Sequence, residues 1–368
     1  MGGLEMDSRR KGVIEMKLLL SVFVAATLAL SPAGLTSAVA AAQGLDETFE
    51  VHPSTQDPSV KVTLETLERW ETELSNWGRW GPKDQRGALN FITPEKTIAA
   101  TRLVEDGVTV TLAHFVTEED AIDSQTFGPT EHWMTSIDPN TGQPRGALDA
   151  MSFSLHDGQL AHMDALCHYA TRRDGKSIIF NGYPQNLTVG GCTGDLSIDD
   201  MGPGYVTRGI LVDMPLLRGV DWLEPSTPIY VSDLEEWENF AGITVSPGDV
   251  LLVRAGRWAR RDELGPWNYA RGGAGLHASV LPWLRERGVS LLVGDAVNDV
   301  QPSGVEGINR PVHTMTQVFL GLPLVDNGYL EDVAREAESR QRWEFMVSWQ
   351  ITKVPNGTAG PFNAIATF

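Results

Sequence analysis

The chain has 368 residues, 42% of them hydrophobic with 11 Trp, and carries a formal net charge of −19. That is enough apolar material for a substantial buried core, and so acidic a chain argues against nucleic acid and anionic membrane as partners. Only 2 Cys and 8 His are present, so neither a disulfide scaffold nor a histidine-rich tract is in play.

The N-terminus reads as an export signal occupying residues 1–42, with Met16 as an alternative start. Lys17 supplies positive charge, an apolar run extends from Leu18 to Leu30, and Ala38–Ala40 or Ala40–Ala42 offers a small-residue cleavage site. The apolar run is too short to span a bilayer comfortably. An exported protein, periplasmic or secreted and without stable membrane insertion once the signal is removed, is the expectation.

Residues 43–75 follow as an N-terminal extended arm, because Pro, Ser, Thr and acidic residues dominate its first two-thirds without periodicity. The remaining domain is expected over 76–368. Thr93, Pro94 and Gly107 are spaced to cap, start and end a helix. The alternation in Val108–Phe115 predicts a strand. From Ser232 onward helices and apolar strands alternate, with Ser232 and Glu235 in capping-box spacing. Neither a Gly-x-Gly-x-x-Gly nor a P-loop signature occurs. A single mixed α/β domain without a linker results.

Between Ser154 and Tyr169 the stretch SLHDGQLAHMDALCHY holds three histidines and two aspartates. On a strand, His162 and Asp164 point to one face. His156 lies six residues before His162, and His168 lies four after Asp164, where a turn would fold it back toward the same pocket. Imidazole nitrogen with carboxylate oxygen is ligand chemistry for Zn²⁺ or Mn²⁺. By spacing alone, a metal site and a hydrogen-bonded polar pair both remain open. Cys167 and Cys192 are either a disulfide or two small buried residues.

The segment His162–His168 resembles the second half of the His-x-Gly-Thr-His-x-Asp-x-x-x-His motif of the cyclase family, which includes bacterial kynurenine formamidases and isatin hydrolases. Asn76–Glu95, Arg172–Pro184, Arg310–Asn327 and Asn356–Phe368 match longer members of that family in order and kind. The resemblance implies a swivelling β/β/α-type mixed-sheet domain, a divalent metal (Zn²⁺ or Mn²⁺, one or two ions) and hydrolysis of an N-formyl or cyclic amide. It implies His162 and Asp164 as metal ligands, His168 as proton shuttle or ligand to a second ion, and His313 and Asp326 as later ligands. A lactone hydrolase or dehydrating cyclase on the same site, and an exported binding protein with an emptied metal site, are the alternatives. One departure stands out. The motif's first histidine falls on Gly158, so His156 is taken as its replacement.

Trp80 is read as a cover for an aromatic substrate and Asp295, at a strand's carboxyl end, as a pocket residue; packing and turn capping are the competing roles. Arg254 and Arg257 pair either a substrate carboxylate or internal acids. A small-molecule substrate and a homo-oligomeric assembly complete the expectations.

Overall fold

Residues described by the computed structural model are 57, 59–124, 129–143 and 146–368. The signal-like segment 1–42 lies outside them. All described residues belong to one compact unit, Glu50–Phe368.

A mixed sheet of nine strands organises it. The order across the sheet is Thr109–Thr111, Ile365–Thr367, Glu344–Trp349, Tyr205–Asp213, Val250–Arg254, Leu291–Gly294, Leu324–Asp326, His162–Asp164 and Ala359–Pro361. The four strands from Tyr205–Asp213 to Leu324–Asp326 run parallel, and the remaining pairings are antiparallel. Parallel strands covered on both faces need apolar residues throughout rather than alternation. Leu251, Leu252, Leu291, Leu292 and Leu324 accordingly have no exposed surface.

Helices Val231–Ala241, Leu281–Arg287 and Glu331–Arg340 fall where the alternating pattern put them. Two boundaries differ. The first of these helices begins at Val231, and Asp233 reaches back to accept the Tyr230 amide at 2.7 Å, so the cap lies two residues ahead of Ser232. The Thr93-capped helix closes at Thr101, well before Gly107.

Within the extended-arm reading of 43–75, residues 43–56 and 58 lie outside the described residues; residues 64–73 are corrected by a helix, Leu64–Glu73. Thr63 caps it through the Thr66 amide, and Leu67 is buried on the main core. Its continuation is tied to Met315–Leu320: Asn76 donates to Leu320 O at 2.9 Å and Trp77 Nε1 to Val318 O at 2.6 Å. Cys167 and Cys192 are both buried free thiols. Among the described residues, no helix is long and apolar enough to cross a membrane.

Candidate metal centre

The short strand His162–Asp164 lies between Leu324–Asp326 and Ala359–Pro361, with His162 directly opposite Asp326. Its two-residue period puts His162 and Asp164 on one face, and neighbours on both sides bury them. The chain then turns through a His168 N–H to Ala165 O bond of 3.0 Å, returning His168 to the same place. Its ring stacks on that of His156 with centroids 4.1 Å apart.

Three side chains can close on one ion. His156, His162 and Asp164 each offer a ligand atom, all within 4.8 Å of one another. The hydrogen bonds select which atoms. His162 Nδ1 lies 2.9 Å from Leu160 O, and a carbonyl accepts only, so that nitrogen carries the proton and Nε2 keeps its lone pair. His156 Nε2 lies 3.1 Å from Thr358 Oγ1, leaving Nδ1 inward. The two inward nitrogens stand 3.8 and 3.5 Å from Asp164 Oδ1. That oxygen is buried without a hydrogen-bond partner. A buried carboxylate oxygen is rarely left so, and a cation between it and two imidazoles would satisfy all three atoms. The residues present therefore fit a divalent metal.

Burial pushes the His156 pKa down to about 4, outweighing the opposite pull of Asp164, and it lowers His168 too. Both rings are therefore neutral near pH 7, as a ligand or a proton acceptor must be.

The other oxygen of Asp164 faces a second group. Gln317 donates to Oδ2 at 2.9 Å, His168 Nε2 stands at 3.8 Å and His313 Nε2 at 3.9 Å. His313 is held between two acids, with Nδ1 2.5 Å from Asp299 and Nε2 3.2 Å from Asp326. Burial works against charge on His313, yet Asp326 and Asp299 hold its pKa well above the ordinary value. Burial raises Asp326 in the same way, and His313 pulls it below the usual range. Asn298 donates its amide and side chain to Asp326 at 3.2 and 2.7 Å.

Position 158 explains the motif's departure. A Cβ there would lie 1.8 Å from Asp123 O and 3.0 Å from the Tyr269 hydroxyl, so no histidine fits. The turn from Leu155 to Leu160 carries His156 to the site instead.

Asp295 is fully committed elsewhere. Its carboxylate accepts the amides of Ala255, Gly256 and Arg257 at 2.7 to 3.1 Å. Trp80 packs edge-on against Phe91, 5.1 Å between centroids, under the Arg79 guanidinium. Arg254 pairs with Asp213 and Glu331, and Arg257 with Asp123. Gln317 and Asn298 were not singled out by sequence. The available signal for Gln317 was its place four residues after His313, in a turn that the structure winds as a π-helix, Met315–Leu320.

A family model described as putative cyclase matches residues 91–298. Among solved structures, one titled as a novel cyclase is 27% identical, with a TM-score of 0.71, over 81% of this chain and 99% of that one. Isatin hydrolase A from Ralstonia solanacearum is 19% identical, TM-score 0.51, over 74% of this chain and 97% of its own. An isatin hydrolase bound to the product analogue thioisatinate is 14% identical, TM-score 0.50, with coverages of 74% and 98%. The last two share the fold. No curated protein matches the chain.

Proposed function

The chain belongs to the cyclase family, and on that premise we propose that it is a metal-dependent hydrolase of a small amide, either an N-formyl arylamine or a cyclic amide. The observation that carries the reading is the orphaned Asp164 Oδ1 facing His156 Nδ1 and His162 Nε2. A divalent cation held there, Zn²⁺ or Mn²⁺ by the chemistry of its donors, would supply a water of lowered pKa and a Lewis acid for the substrate carbonyl.

The protein's own contribution is positional. The Leu160 carbonyl fixes the His162 tautomer and Gln317 anchors Asp164, so neither ligand needs to reorganise. His168 is the proposed general base. Its neutral Nε2, beside Asp164 Oδ2, takes the proton of the attacking water and returns it to the leaving nitrogen. His313 and Asp326, expected as later ligands, pair with each other on the Oδ2 side of Asp164, where Asp299 also holds His313.

Export rests on the Met16–Gln43 stretch, and a homo-oligomer remains part of the proposal. The test is metal content of protein purified without chelator, followed by turnover of N-formyl-kynurenine, isatin and simple lactones. Less than about half an equivalent of tightly bound metal per chain would overturn the hydrolase reading. Turnover confined to lactones would move the assignment to the lactonase on the same atoms.

A further inference from the structure

The turn between the ligands His156 and His162 directs three carbonyls into the protein, away from water and from any strand partner. Asn327 Nδ2 donates to Asp157 O at 3.1 Å and to Leu160 O at 3.4 Å. Arg257 Nη2 donates to Gly158 O at 2.6 Å, and the Tyr269 hydroxyl also points to it at 3.4 Å. Asn327 Oδ1 ties these donors together by accepting from Arg257 Nη1 at 2.8 Å and from Tyr269 at 2.7 Å. The guanidinium lies 4.1 Å from the Trp258 ring centroid and 3.8 Å from that of Tyr269, and pairs with Asp123 at 3.0 Å. Asn327, Arg257 and Tyr269 are all buried. Burial pushes the Tyr269 phenol up to about 12, so it remains a donor.

We propose that Asn327, acting with Arg257 and Tyr269, is the positioning residue that folds the Asp157–Leu160 turn aside so that His156 reaches the metal. The inference rests on the metal-site reading above. His162 and Asp164 are held by sheet pairing on both sides. His156 has no such support: it sits on the turn, and its side chain is 27% exposed. Two extra residues separate it from His162 compared with the motif spacing, and a buried turn needs donors for its carbonyls. Asn327 also adopts φ +61, a left-handed conformation that asparagine tolerates better than most residues. It follows directly on Asp326, so one short segment contributes to both sides of the centre.

The experiment is a double-mutant cycle read by metal affinity and by the visible spectrum of bound Co²⁺, using the full chain. His162→Ala should abolish tight binding. Asn327→Ala should weaken Co²⁺ and Mn²⁺ binding about 10- to 100-fold, as loss of an outer hydrogen-bonding partner does, and should change the Co²⁺ band intensities. His156→Ala should weaken binding at least as much. The decisive measurement is Asn327→Ala in the His156→Ala background, where no further loss beyond about 2-fold is expected, because a shared ligand makes the effects non-additive. The same full loss in both backgrounds would overturn the proposal. So would unchanged affinity accompanied by a lower melting temperature, which marks a purely structural residue. Should Asn327→Ala not fold, Tyr269→Phe takes its place in the cycle, with a loss of about 3- to 10-fold expected from weakening the same clamp. If His156→Ala and His162→Ala both retain parental affinity, the metal-site reading itself fails, whatever Asn327 does.

Discussion

Restoring the motif histidine at position 158 should damage the centre rather than repair it. Gly158→Ala is the minimal perturbation, and Gly158→His is the motif-restoring one. The added Cβ would stand 1.8 Å from Asp123 O, inside the 3.0 Å limit that real Cβ atoms observe, and the obstructing atom is backbone. Asp123 cannot retreat freely, since Arg257 and Arg261 both hold its carboxylate, at 3.0 and 2.8 Å. Displacing Gly158 instead breaks the 2.6 Å bond from Arg257. Overpacking costs about 1–3 kcal/mol, with an overlap onto backbone at the upper end, and losing a charge-assisted hydrogen bond falls in the same range. For a domain of this size that corresponds to a fall in Tm of about 5 °C. Calorimetry in the presence of chelator measures this apart from metal binding, and a metal titration then reports on His156. A Gly158→Ala protein melting within about 1 °C of the parent with unchanged affinity would refute the packing argument. A Gly158→His protein that binds metal more tightly would refute it as well.

The remaining expectations are direct. His168→Ala should keep the metal while lowering kcat about 10²- to 10⁴-fold, the range for a general base; loss of metal along with turnover would make it a ligand instead. Chelation should lower Tm by an amount that grows with the logarithm of affinity, about 2.7 kcal/mol of stability at a hundredfold excess of metal over Kd, while a His162→Ala protein should show no such shift. Asp295→Asn should leave KM unchanged, because this side chain is occupied by three backbone N–H groups that converge on one oxygen, a place the amide oxygen can take; a changed KM with unchanged Tm would return Asp295 to the substrate pocket. Burial, with Glu331 nearby, pushes Asp295 up to about 6. The fold thus favours its neutral form, and this group's stability is present at low pH and lost as pH rises from about 4 to 6, by about 3 kcal/mol. Denaturant melts at pH 4, 5, 6 and 7 should show that slope in the parent and not in Asp295→Asn.

Local pattern made much of this protein legible. The unbroken apolar runs at Val250–Val253 and Leu291–Val293 announced buried strands, which the structure sets parallel, because helices covering both faces leave no place for polar alternation. The two-residue spacing of His162 and Asp164 put both side chains on one face, since a strand's period admits nothing else. The turn that returns His168 was anticipated only conditionally. Leu64–Glu73 was missed because its helical face is short, and its burial depends on a core built from distant segments.

What sequence alone could not decide was the reach of His156 and the meaning of Gly158. That glycine is set by Asp123 and Tyr269, 35 and 111 residues away in the chain. Asn327 meets the same turn across 170 residues, and Gln317 meets Asp164 across 153. The sequence determined which atoms were available to bind a cation, because residue type fixes donor chemistry. Tertiary structure decided which of them face one point, because contacts between remote segments leave no periodicity along the chain.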